Sequence, residues 1–169
     1  MARFVYLDSA VLVPLTVDAD MPDEETWARG IVGKLESQSN SHDIYVKIPQ
    51  VCIGETVSRY RELHTDGGLK PGSSPPRDTF LDSLFSILDK VDGELTSTNT
   101  DAQKVATRLE RQNNRICNHD ALIVATAIVD NESTHLITTD DTLIDSPHIR
   151  ELSHQREQRQ YSLTVTDSY

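Results

Sequence analysis

Cysteine is scarce in this chain of 169 residues: Cys52 and Cys117 are the only two, and no CxxC spacing occurs. That excludes a disulfide scaffold and gives no zinc-ligand pattern, so both thiols read as small, buried apolar residues. No apolar run approaches the roughly 18 residues of a membrane span. The opening Met-Ala-Arg-Phe-Val-Tyr-Leu-Asp lacks the apolar stretch of a secretory signal. The expectation is a cytoplasmic protein with no membrane contact. His42, His64, His119, His135, His148 and His154 form no HxH or HExxH pair, and there is no glycine-rich phosphate loop and no nucleophile elbow. An aspartyl-nucleophile phosphatase would carry a second Asp two residues after Asp8, where this chain has Ala10.

Positive charge is scarce too. Asp and Glu total 27 against 16 Lys and Arg, a net charge of -11, and Lys supplies only 5 of those 16. Proteins that coat polyanions by charge alone are basic, which argues against simple charge-driven nucleic-acid binding. An acid-rich, lysine-poor surface suits concentrated salt, where self-repulsion is screened and phosphate contacts are weakened. With 37% hydrophobic and 25% charged residues, the composition is that of a globular protein. The length favours a single domain, 1–169, with room for a sizeable core.

Apolar, β-branched runs at 4–7, 44–48, 136–139 and 161–165 read as strands. A helix begins after Asp8-Ser9 and covers Ala10 to Val13, and 14–21 reads as a loop. Pro22 with three following acids marks a second helix start. Further helices are expected after Pro49, with Ile53, Val57, Tyr60 and His64 on one face, around Phe80 to Val91, and over 101–115. The apolar stretch 121–129, capped by Asn118, completes the set. The Gly- and Pro-rich segment 66–76 reads as a flexible loop. Strands alternating with helices predict an α/β fold: a central parallel sheet of about four to five strands with helices on both faces.

In such sheets ligands sit beyond the carboxyl ends of the strands. Asp8 closes the first strand and Asp140 the fourth helix-to-strand unit. Asp120 starts the helix leading into that last strand, so its end lies on the same edge. Glu55, in the second turn after the second strand, can reach it. Four carboxylates in one cleft need a cation. Hard oxygen donors select Mg²⁺ or Mn²⁺, and no Cys or His cluster facing the acids is expected to favour zinc. Metal-activated water suits phosphodiester hydrolysis. Each acid also has a plain structural role open to it. Asp8 and Asp120 can serve a helix start, Glu55 can pair with Arg59, and Asp140 or Asp141 can form a turn. Asp141 is expected to cap a short turn through Leu143.

The motifs Phe4-Val5-Tyr6-Leu7-Asp8-Ser9, Ile48-Pro49-Gln50 through Gly54-Glu55, His119-Asp120-Ala121-Leu122-Ile123-Val124-Ala125-Thr126-Ala127 and Leu136-Ile137-Thr138-Thr139-Asp140 resemble those of PIN domains. The likeness is greatest to VapC-type toxin ribonucleases, and it spans nearly the whole chain. The resemblance implies a Mg²⁺- or Mn²⁺-dependent endoribonuclease with Asp8, Glu55, Asp120 and Asp140 as its acidic site. Asp8, Asp120 and Asp140 would hold the metal. It also implies an RNA substrate, an antitoxin partner and a homodimer. A departure stands at Ala10, where the family usually has Ser, Thr or Asn. Ser9 is a candidate to replace that hydroxyl, but it is expected to point elsewhere if the segment is already helical. The alternatives are a catalytically silent PIN-like module that binds RNA or a protein, and a housekeeping RNA-processing nuclease.

One basic feature opposes the negative total. Lys104, Arg108, Arg111 and Arg115 cluster on the helix expected over 101–115, about 100° from its apolar stripe. They read as a track for RNA phosphates or, alternatively, as a solvated face paired with Asp101 and Glu110.

Overall fold

The computed structural model describes residues 3–41, 43–72, 76–156 and 162–169, with the side chains of 76–79 left aside. Five strands form one sheet: β1 (Arg3–Leu7), β2 (Ile44–Pro49), β3 (Gly93–Thr96), β4 (Ser133–Ile137) and β5 (Thr164–Thr166). Their order is β3-β2-β1-β4-β5, and every neighbouring pair is parallel. The helices are α1 (Ser9–Thr16), α2 (Pro22–Ser39), α3 (Gln50–Asp66), α4 (Pro76–Lys90), α5 (Thr100–Gln112), α6 (Asn118–Val129), α7 (Asp141–Ile144) and α8 (Pro147–His154).

The chain steps outward from β1 to β2 to β3, then crosses back past β1 to β4 and β5. Parallel crossovers are right-handed, so reversing direction moves the helices to the opposite face. Accordingly α1 packs with α2 and α4, while α5 packs with α6 and α8. Covered on both sides, β1 and β4 carry buried residues in succession: Val5, Tyr6 and Leu7, then Leu136 and Ile137. The reversal falls at β1, so the carboxyl edge between β1 and β4 is the topological switch point, where a crevice opens in folds of this kind.

The fold departs from the sequence reading in identifiable places. The stretch from Pro14 is not a loop, because α1 runs through Pro14 to Thr16. Proline removes the N–H that would bond the Ala10 carbonyl, a cost of up to about 3 kcal/mol in a helix interior. Burial of Val11, Leu12 and Pro14 offsets it, and the Thr16 hydroxyl donates to the Leu12 carbonyl at 2.7 Å. Strand β3 was not expected, since Gly-Glu-Leu-Thr has no apolar run; edge pairing with β2 through the backbone makes it a strand. A Cβ at Gly93 would meet Leu88 Cδ2 and Val91 Cγ2 at 3.1 Å, so the turn from α4 into β3 requires glycine or a shift of those side chains.

Helix α5 stops at Gln112 rather than 115. Asn113 leaves the helix in extended backbone, and its side-chain oxygen takes the Arg115 N–H at 3.1 Å. Helix α3 turns Cys52, Thr56 and Tyr60 inward, not Ile53 and Val57, which are half-buried. Strand β4 ends at Ile137, which leaves Thr138 and Thr139 beyond it. The segment expected to be a loop at 66–76 starts at the end of α3, where Gly67 takes φ 73°, and reaches the first residue of α4. Within it Leu69 pairs with Ala19 and the Lys70 N–H bonds the Asp18 carbonyl at 2.9 Å, whereas 73–75 lie outside the described residues. Tyr161, expected to open the last strand, also lies outside them.

Candidate active site

Asp8 follows β1 directly and is the N-cap of α1, so it combines the capping and the cleft positions that the sequence left as alternatives. It is only 4% exposed. Its Oδ1 accepts the Ser9 N–H at 2.6 Å and the Ser9 hydroxyl at 3.2 Å, and its Oδ2 accepts the Thr138 hydroxyl at 2.6 Å. The last bond joins the carboxyl ends of β1 and β4 across the switch point. Burial raises the Asp8 pKa, opposed by the Thr138 and Ser9 hydrogen bonds. Ser9 is helical, as its position implied, yet its hydroxyl faces the acids and does not point away. It therefore offers the hydroxyl that Ala10 lacks.

Glu55 lies beside the buried Cys52–Thr56 face of α3, with a side chain 15% exposed. Its pairing with Arg59 does not occur: Arg59 Nη1 bonds Glu62 Oε2 at 2.9 Å. Glu55 Oε2 is buried with no partner, and Oε1 stands 3.5 Å from His119 Nδ1. Burial, followed by the fields of Asp8 and Asp120, pushes the Glu55 carboxyl up to about 7, with a Ser9 hydrogen bond opposing. A buried carboxylate oxygen without a donor is the vacancy in hydrogen bonding that a cation relieves.

Asp120 occupies the third residue of α6, where the helix dipole favours an acid. The N-cap is Cys117, not Asn118, so the helix begins one residue earlier than the sequence indicated. An N-cap side chain and the side chain three residues on face each other across the first turn. The Cys117 thiol therefore donates to Asp120 Oδ2 at 2.9 Å. Cys117 is exposed, which corrects its reading as a buried apolar residue; Cys52 is buried as expected, with its Sγ 3.7 Å from the Leu7 carbonyl. The expectation that no Cys or His would face the acids is likewise corrected by Cys117 and His119. The cysteine at N-cap spacing from an acid was the signal available in the sequence.

Donor atoms of Glu55, Cys117 and Asp120 lie within 4.8 Å of one another, as do those of Asp8, Cys52 and Glu55. Glu55 belongs to both groups, so it is the hub of the arrangement rather than a completing residue. Asp140 lines the same cleft but joins neither group among the described residues. Asp140, not Asp141, caps α7, with Oδ1 accepting the Thr142 N–H at 2.7 Å; Asp141 is the first helical residue. The backbone N–H of Asp140 bonds the Thr138 hydroxyl at 3.1 Å, which ties its loop to Asp8 through one threonine.

The cleft holds about 460 Å³, and all four acids line it together with Ser9, Arg59, His119 and Thr138. Of the basic residues expected as a track, Lys104 pairs with Asp101 at 3.3 Å and Arg108 bonds Gln155 Oε1 at 3.0 Å. Arg111 is exposed in the last turn of α5. Arg115 lies off the helix, in a neighbouring depression that also includes Asp141 and Thr142. The cleft's own cation is Arg59, which the sequence reading treated only as a partner for Glu55.

No family model matches the sequence, and no curated protein matches it. Among solved structures, VapBC2 from Rickettsia felis bound to a DNA fragment from their promoter is similar. The TM-score is 0.58 at 13% identity, covering 96% of this chain and 98% of that chain. Identity that low speaks to the path of the backbone alone. The all-parallel sheet, the reversal at β1 and a fold likeness that extends over nearly the whole of both chains lead to one conclusion about architecture: this chain has a VapC-like PIN fold.

Proposed function

We propose that this protein is a divalent-metal-dependent endoribonuclease, the toxin of a toxin–antitoxin pair, in which Asp8, Glu55 and Asp120 hold Mg²⁺ or Mn²⁺. The observation that carries this reading is Glu55: a carboxylate with an orphaned buried oxygen, facing two further acids, in the switch-point cleft. Oxygen donors of this kind fit a hard cation. When bound, that ion supplies positive charge for the scissile phosphate and an acidified water. Asp8 is held rigidly by Ser9 and Thr138, so it presents its carboxylate without reorganisation. As a ligand of the ion Glu55 is ionised, and its carboxylate is placed to orient the attacking water beside it. Asp140, fixed at its cap, lines the same cleft and adds negative charge to it. Hydrolysis by water leaves a 5′-phosphate and a 3′-hydroxyl. An antitoxin partner and a homodimer accord with the likeness to a VapBC2 complex. The test is Mn²⁺-dependent cleavage of structured RNA, with product ends mapped. Cleavage that is indifferent to chelator, or products bearing 2′,3′-cyclic phosphate, would sink the reading.

The basic surface bears on substrate binding rather than on the chemical step. Arg108 keeps its charge beside the neutral Gln155. Arg111, in the last turn of α5, and Arg115, in the connection that follows, precede the cleft-bearing start of α6. Replacing Arg108 and Arg111 together with glutamine is expected to weaken binding to all RNA sequences about equally. It should also flatten the dependence of log affinity on log salt by roughly 0.7 per lost phosphate contact. Affinity measured across a salt series checks both, and an unchanged slope reduces the stripe to a solvated face.

A further inference from the structure

The rim of the cleft carries donors that the hard-metal reading leaves unused. Cys117 and His119 flank Asp120 at the start of α6, and neither belongs to an oxygen site. The Cys117 Sγ, Asp120 and Glu55 donors lie within 4.8 Å of one another. Sγ and Asp120 Oδ2 are 2.9 Å apart, and His119 Nδ1 is 3.5 Å from Glu55 Oε1. Tetrahedral zinc with bonds of about 2.0 Å to N or O and 2.3 Å to S places its ligands about 3.3–3.5 Å apart. The Sγ–Oδ2 pair, here a hydrogen bond, must open to about 3.5 Å to admit zinc, which rotation of the exposed Cys117 side chain can supply. The thiolate is a ligand that Mg²⁺ does not choose and zinc does.

We infer that Cys117, Asp120 and Glu55, with a water in the fourth position, form a zinc site on the rim of the cleft that competes with the catalytic cation. Binding transfers no electrons. The Cys117 thiol proton now donated to Asp120 leaves to solvent when zinc binds, together with the proton on Glu55 where that carboxyl is still protonated. Because Glu55 and Asp120 are shared, zinc there removes two oxygen ligands from the hard-metal site. The chain would thus be silenced by a soft cation and restored by its removal. Only this consequence for activity rests on the nuclease reading; the zinc site itself does not. Cys52 does not compete, since its thiol is buried against the Leu7 carbonyl and burial pushes its pKa well up.

Cobalt(II) is the probe, because a thiolate ligand gives a charge-transfer band that oxygen donors do not. The full chain titrated with Co²⁺ should show the band at one equivalent, and added Zn²⁺ should displace it. Cys117→Ser should lose the band and weaken zinc binding at least about tenfold by calorimetry, while still binding Mn²⁺. No band in the wild-type chain overturns the proposal, as does a band retained in Cys117→Ser, which would assign it to Cys52. The two readings fail separately. Mn²⁺-dependent cleavage without the band removes the zinc site alone. The band without cleavage of any RNA by the Mn²⁺-loaded chain supports the zinc site and removes the nuclease.

Discussion

Asp120→Asn is expected to lower Mn²⁺-dependent RNA cleavage by at least about 100-fold while leaving the folded chain intact, the scale typical of removing one preorganised charge from a reacting centre. Asp120 makes few demands on the fold. It is partly exposed, and its carboxylate accepts a hydrogen bond from the Cys117 thiol. Asparagine retains an oxygen for that thiol and costs little stability. Glu55→Gln should lose activity on the same scale.

Asp8→Asn behaves differently, and the contrast is diagnostic. Repulsion among the acids alone would make every acid-to-amide change at the metal ligands stabilise the metal-free protein. The structure reverses this for Asp8. Both its oxygens accept, from Ser9 and from Thr138, at 4% exposure. An amide nitrogen must face one of those donors, which costs about 1–3 kcal/mol for a buried unsatisfied group. Asp8→Asn should therefore lose both activity and several degrees of Tm. Cleavage rates with matched thermal melts check the set. Retained cleavage in Asp120→Asn removes it from the site, and equal destabilisation by Asp120→Asn and Asp8→Asn makes both of them simple caps.

The second large effect concerns pH. Glu55 titrates at about 7 in the folded chain against 4.5 for its ordinary value. Below pH 4.5 it is protonated in both folded and unfolded states and costs nothing. As pH rises towards 7 the unfolded chain releases this proton and the folded chain keeps it, so stability falls, then levels off above pH 7. The window is worth on the order of 3 kcal/mol for the metal-free protein, and Asp8, raised by the same burial, acts in the same direction. Glu55→Gln should thus raise Tm at pH 8 by roughly 6–12 °C, using about 2–4 °C per kcal/mol for a chain this size, and have little effect near pH 4.5. Mn²⁺ should do to the wild type at pH 8 what the amide does to the variant, about 2.7 kcal/mol at a hundredfold excess over Kd. It should do far less at pH 5, where the proton occupies Glu55. Melts at both pH values, with and without Mn²⁺, check this. A Tm gain from Glu55→Gln that is equal at pH 5 and pH 8 would mean that Glu55 carries no buried charge.

Much of this was legible in the sequence because local patterns encode it. Period-two and apolar runs mark β1, β2 and β4. Asp8 and Asp140 follow two of those runs directly, and the apolar stretch behind Asp120 is too alanine-rich for a strand. The motif resemblance added the ribonuclease expectation, and the backbone likeness bears out its fold. What the tertiary structure decided is everything that depends on which strand lies next to which. The order β3-β2-β1-β4-β5 brings Thr138 to Asp8 across 130 residues, and no local pattern contains that adjacency. Strand β3 exists only because β2 offers it an edge. Glu55 became the hub because α3 rotated Cys52 and Thr56 inward, a choice made by packing that the wheel of Ile53 and Val57 misrepresents. Cys117 entered the site because α6 starts at Asn118 with Cys117 as its N-cap, one residue earlier than a cap at Asn118 implies, and one residue is 100° of helix. The residue types were in the sequence; the burial that raises Glu55 and leaves its oxygen without a donor comes from the assembled sheet edge alone.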